Sequence, residues 1–116
     1  HVNEMLPYWT DQLETVLAGT GKEAVPFGRV ATDPGRLGRI EADRQRPIGE
    51  LLDEIAAGLE RASGFAAGLS ADDAERRGLH STRGELSVAA AIERFLVTHL
   101  EEHVEQLRAI LARPPA

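Results

Sequence analysis

The stretch SVAAAIERFLVTHLEEHVEQLRAILA, residues 87–112, decides the fold because it carries a long amphipathic pattern. Ser87 is a favourable N-cap, and Pro114 and Pro115 stop the pattern, so we predict a helix over residues 88–112. At 100° per residue, six apolar side chains fall on one arc of this helix, which we expect to be buried. The six are Val88, Ile92, Phe95, Leu96, Leu107 and Ile110.

Three earlier segments show the same helical spacing of apolar residues and are also predicted helices. They span residues 2–18, 47–69 and 71–77. Pro7 lies inside the first of them, where it predicts either a kink or a start near residue 6. Gly78 is expected to close the third helix.

The connections between these helices are predicted to be irregular. Residues 20–46 mix glycine and proline with charges and show no sustained period, so we expect a long loop there. Residues 78–86 are expected to form a turn, and Ser70 with Asp73 resembles a short capping box before the third helix. The prediction is one all-α, bundle-type domain that spans all 116 residues.

Composition excludes several classes of function. A formal charge of −6 opposes binding to a phosphate backbone, so we expect no nucleic-acid partner. No apolar run is long enough for a membrane span, and no signal-like segment is present. The chain has no cysteine, which leaves His, Asp and Glu as metal ligands and fits a cytoplasmic protein.

His99 and His103 fall near the centre of the apolar arc of the last helix, so both are expected to face inward. Imidazoles four residues apart on a helix can reach one metal ion. The spacing alone fits a hydrogen-bonded core or rim pair equally well, but inward placement favours the metal site. The stretch also matches the peptidase pattern H-x-x-E-H, which we reject because only thirteen residues follow His103.

A third ligand must come from another part of the chain, and the candidates are His1, His80 or an acidic residue such as Glu4. We prefer His1, because it precedes an apolar helix that would pack beside the last helix. His80 lies in a polar stretch and is interpreted as a solvated or locally bonded loop histidine. Glu4 and Glu102 could orient a ligand or accept a proton, but glutamates near helix surfaces are usually solvated, so neither is assigned a catalytic role.

Four stretches together give the sequence a family resemblance. They are HVNEMLPYW at residues 1–9, GLSADD at 68–73, GLHSTRG at 78–84 and THLEEH at 98–103. In this order they resemble the DinB/YfiT-like superfamily of metal-dependent proteins, which includes thiol-dependent transferases and a mycothiol-dependent isomerase. The resemblance implies a four-helix bundle with a divalent metal, zinc or nickel, held by His1, His99 and His103.

The sequence departs from that family in one respect, because the family's first helix should lie before residue 1. A bundle without it would expose an apolar groove that a second chain could fill, so we expect a homodimer. Three imidazoles would leave a coordination position for water or substrate. The first hypothesis is therefore a small-molecule hydrolase or a transferase that uses a low-molecular-weight thiol. The second is a non-catalytic helical binding or stress-response module whose ion, if present, ties helices together.

Overall fold

The computed structural model describes residues 1–20 and 23–114, and it combines helices with one small sheet. Helices make up 69% of it, so the all-α expectation is right for most of the chain and wrong about the sheet. In chain order the elements are α1 (Val2–Ala18), β1 (Val25–Phe27), α2 (Pro34–Arg44), α3 (Ile48–Ala67), α4 (Ala71–Glu75), β2 (Arg77–His80), β3 (Gly84–Ser87), α5 (Val88–Ala91), a π-helical segment (Ile92–Thr98) and α6 (His99–Leu111).

Helix α1 is the centre of the core. Met5, Leu6, Leu13 and Val16 on it are at most 1% exposed. Pro7 lies inside α1, which nonetheless runs unbroken from Val2 to Ala18, so the predicted alternative start near residue 6 is not observed. Helix α3 packs closely on this face, since a Cβ at Gly58 would lie only 3.1 Å from the Cβ of Leu6.

The predicted loop over residues 20–46 is wrong, because β1 and α2 lie within it. Asp33 caps α2 by accepting a hydrogen bond from the Arg36 backbone N–H at 3.0 Å, and Pro34 occupies the first turn. Asp43 is the buried residue of this helix. Because α2 buries so little of its surface, its sequence has no periodic apolar pattern from which the helix could be predicted.

Residues 78–86 are not the simple turn that the sequence suggested. Strand β2 pairs parallel with β1 on one side and antiparallel with β3 on the other. Gly78 lies within β2 and does not close α4, which ends at Glu75. The site of Gly78 is too tight for a side chain, because a Cβ there would lie 2.6 Å from Cδ1 of Phe27.

The last helix is one continuous run in which a π-helical segment separates α5 from α6. Ser87 caps it as predicted, accepting from the Ala90 backbone N–H at 3.0 Å. Each residue of a π turn rotates less than 100° about the axis, so the arc extrapolated from an ideal α-helix fails beyond it. Leu107 and Ile110 are 57% and 53% exposed, contrary to the buried arc that we predicted.

Helix α4 begins as the sequence indicated. The Ser70 hydroxyl accepts from the Asp73 backbone N–H at 3.0 Å, and the Asp73 carboxylate accepts from the Ser70 N–H at 3.2 Å, which completes a capping box. Among the helices of residues 1–20 and 23–114, none has the length and hydropathy needed to cross a membrane.

Candidate metal centre

Three histidines from two distant parts of the chain meet at one end of the molecule. His1 precedes α1, His99 is the first residue of α6, and His103 follows one turn later. The Nε2 atoms of His1 and His99 are 3.3 Å apart. One ligand nitrogen from each of the three rings lies within 4.8 Å of the other two. The structure thus brings together the three residues that the sequence singled out.

Neighbouring groups decide which nitrogen of each helix histidine faces the cluster. Nδ1 of His103 bonds Oε1 of Gln106 at 2.8 Å, and because an amide oxygen only accepts, the ring proton is on Nδ1. Nε2 of His103 is buried and has no hydrogen-bond partner within the described ranges. His99 bonds the Phe95 backbone, and its Nε2 faces Nε2 of His1. His103 therefore has an unprotonated Nε2 left for the cluster.

His1 is oriented by a buried carboxylate. Its Nδ1 lies 3.3 Å from Oε2 of Glu4, and Glu4 is only 5% exposed. Neither atom has another hydrogen-bond partner among the residues described, so the imidazole and the carboxylate face each other as a histidine–carboxylate pair. The interpretation of Glu4 as a solvated surface residue is therefore wrong, whereas Glu102 is exposed as expected.

Glu4 is itself held by the segment that follows β1. Arg29 forms an ion pair with Oε1 of Glu4, and its guanidinium lies 3.7 Å from the centre of the Tyr8 ring. Burial, with a smaller contribution from Asp33, raises the pKa of Tyr8 to about 12, so the phenol stays neutral. Arg29 thus closes one side of the cluster and leaves Oε2 of Glu4 directed at His1.

The donor set fits a divalent metal ion. In a tetrahedral zinc site, nitrogens bonded at about 2.0–2.1 Å lie about 3.3–3.4 Å from one another, which matches the separation between His1 and His99. Burial lowers the pKa of His99, and His103 lowers it further, so the neutral form that a metal needs is favoured. Three lone pairs that converge in a partly buried place repel one another unless a cation or proton lies between them.

The π-helical segment sets the direction of the two helix histidines. It ends at Thr98, immediately before His99, and it buries Phe95 and Leu96 against the core. Because the wider turn changes the rotation between these core residues and α6, His99 and His103 are aimed at His1 at the end of α1. Such irregular turns within helices occur frequently at functional sites.

A pocket of about 860 Å³ opens beside His1 and His99. Three aromatic rings line it: Trp9 and Phe95 are parallel with centroids 4.2 Å apart, and the centroid of the His80 ring lies 4.9 Å from that of Phe95 and 6.0 Å from that of Trp9. His103 lies at the rim, outside the lining of this pocket. The cluster therefore faces a cavity large enough for a small molecule.

His80 does not join the cluster, which agrees with the preference for His1 as third ligand. It is 5% exposed, so the solvated alternative is wrong, and its ring bonds locally to the Thr82 backbone N–H at 3.1 Å. Gln106, which orients His103, was missed by the sequence reasoning, although its position three residues on was a readable signal. No local sequence pattern predicts the ion pair between Glu4 and Arg29.

Comparison with protein-family models, with curated proteins and with solved structures finds no match to this chain. The resemblance to the DinB/YfiT-like superfamily stays a prediction from the four stretches of sequence that carry it.

Proposed function

We propose that this chain is a metal-dependent enzyme of the DinB-like kind, which acts on a small molecule by thiol transfer or hydrolysis. The observation that carries the proposal is the convergence of three histidine nitrogens, from two separate helices, at the edge of a pocket. A purely structural ion would need no such cavity beside it.

Zinc or nickel is the expected ion, because three imidazole ligands suit both metals. When bound, such an ion keeps at least one position open for water or a thiol and lowers the pKa of that group. The chain's own contribution is orientation: Glu4 holds the ring of His1, Gln106 holds His103, and the Phe95 backbone holds His99. The stack of Trp9 and Phe95 supplies an apolar wall that limits access of water.

A second candidate is a non-catalytic module in which the ion ties helices together. It is favoured by α6, which contains no buried residue and would gain a fixed link to the end of α1 through the three histidines. Both candidate functions include the metal ion, but only the enzyme would bind a substrate in the pocket. A measurement of catalytic activity therefore distinguishes them.

Metal content is the first test. We expect the purified protein to carry about one equivalent of zinc or nickel by elemental analysis after incubation with the metal and desalting. His99→Ala should lose it, and the matched control His80→Gln should keep it, since His80 lies outside the cluster. A wild-type protein that retains no divalent ion and shows no heat on titration with zinc or nickel would contradict the proposal.

Activity is the second test. Metal-loaded protein is mixed with a low-molecular-weight thiol and electrophilic substrates, or with small esters, and thiol loss or acid release is followed. We expect turnover that stops on chelation, returns with the ion and is absent from His99→Ala. Stoichiometric metal with no chelator-sensitive turnover in either assay favours the structural module instead.

A further inference from the structure

The pocket carries a local charge opposite to that of the whole chain. The sequence has 19 acidic against 13 basic residues. The charged side chains that line the pocket are nevertheless four arginines and two glutamates: Arg29, Arg36, Arg83, Arg94, Glu93 and Glu102. A cationic cavity in an acidic protein attracts anions, because the pocket walls focus the field.

The four arginines differ in how far they are already engaged. Arg29 is paired with Glu4, and Arg36 donates one bond to the Ala31 carbonyl at 2.7 Å. Arg83 and Arg94 have no ion pair or side-chain hydrogen bond within residues 1–20 and 23–114. Their guanidinium groups are available to a ligand.

These two arginines line the same pocket as the buried ring of His80. Arg83 lies in the turn between β2 and β3, and Arg94 lies on the π-helical segment. Burial lowers the pKa of His80, and the charges of Arg83 and Arg94 lower it further, so the ring stays neutral. The sheet and the last helix thus both contribute side chains to the wall of this pocket.

His80 carries an unsatisfied donor beside the pocket. Its Nδ1 accepts the Thr82 backbone N–H at 3.1 Å, so the proton of the neutral ring is on Nε2. Nε2–H is buried and has no partner among the described residues, although the ring is only 5% exposed. The edge of the ring that carries Nε2 packs against Gly28, where a Cβ would lie only 2.8 Å from this nitrogen, so Nε2–H is closed to a ligand in the pocket and its NMR signal serves as a reporter of what binds beside the ring.

We propose that Arg83 and Arg94 form a subsite for an oxyanion, the carboxylate or phosphate group of an organic substrate whose other end reaches the three histidines. The part of this inference that concerns the other end of the substrate rests on the proposed function. Planar guanidinium groups bind both kinds of anion through paired N–H donors.

The test is an NMR titration of the full-length protein with succinate and, separately, with inorganic phosphate. We compare wild type, Arg83→Gln with Arg94→Gln, and a control with the same loss of charge, Arg108→Gln with Arg113→Gln, which lie outside the pocket. We expect the pocket variant to bind roughly tenfold more weakly or worse, because two charge-assisted donors are lost, and the control to bind like wild type. In wild type the Nε2–H signal of His80 should shift on binding.

The same titration on His99→Ala separates this inference from the proposed function. Anion binding that survives in His99→Ala and is lost in the pocket variant supports the subsite, whatever the metal analysis gives. Equal affinity in the pocket variant and the control, or no binding of either anion by wild type, overturns the subsite and leaves the metal centre standing. Preference for succinate or for phosphate then assigns the substrate's group.

Discussion

Gln106 is the residue whose role can be tested with the smallest change. Its side chain fixes the proton of His103 on Nδ1 through a 2.8 Å bond, which leaves Nε2 for the ion. We predict that Gln106→Ala lowers zinc affinity by roughly 10- to 100-fold, the usual effect of removing a hydrogen-bond partner of a metal ligand. Competition with a chromophoric chelator measures it. Gln45→Ala, which removes an exposed glutamine after α2, is the control, and equal losses in the two variants would refute the role.

For single residues, the sequence predicted the candidate metal ligands better than the side chains that contact them. His99 and His103 could be paired because four-residue spacing fixes their separation on any helix. His1 could be preferred because an apolar helix follows it. The burial of Glu4 depends on Arg29, which is 25 residues away, and no local pattern encodes a contact of that kind.

The role of the π-helical segment can be tested by removing one residue from it. Deletion of Val97, which is 39% exposed, should let the segment relax to α geometry, because a π turn contains one residue more than an α turn closes. The six remaining residues at about 100° each turn the chain through nearly the same angle as seven residues of a wider π turn, so His99 and His103 would keep their direction towards His1. We predict that zinc affinity and helix content by circular dichroism both stay close to those of the wild type.

The control for this deletion lies further along the same helix. Deletion of Ala109 shortens α6 by the same amount but leaves the register of His99 and His103 untouched. It should bind zinc like wild type. If deletion of Val97 abolishes zinc binding while deletion of Ala109 does not, the wider turn itself is needed to aim the histidines, and an α-helical turn of nearly the same total rotation cannot replace it.

A helix or strand could be predicted only where the signal for it lies within its own stretch of sequence. Helices α1 and α3 carry apolar stripes, and Ser70 and Ser87 mark helix starts, so all four could be read locally. Helix α2 is largely solvated, so only its start, at Asp33 and Pro34, carries a sequence signal. Strands β1 and β2 are three and four residues long and pair across about fifty residues, a contact that periodicity does not encode.

Within residues 1–20 and 23–114, large apolar side chains are exposed on both α3 and α6. On α3, Ile48, Leu52 and Leu59 are 71%, 57% and 40% exposed. Towards the end of α6, four large apolar side chains are also exposed: Val104, Leu107, Ile110 and Leu111. The molecule is elongated, with extents of 56 × 29 × 23 Å, and α6 contains no buried residue. Scattered apolar residues are ordinary on a surface, but rows of them on two helices indicate an interface.

We propose that a second copy of this chain covers these faces and forms a homodimer. A two-fold pair brings the same surface of each chain together, so one self-complementary patch serves both copies. Light scattering after size exclusion should give about twice the monomer mass of 12.6 kDa at micromolar concentration. Leu52→Glu with Leu107→Glu should reduce the mass to that of the monomer, because charge placed in an apolar interface is left without a partner. Thr15→Glu with Gln45→Glu adds the same charge at exposed positions elsewhere and should leave the dimer intact. A monomeric wild type, or a dimer indifferent to both pairs of substitutions, would show that these faces are not where two copies meet.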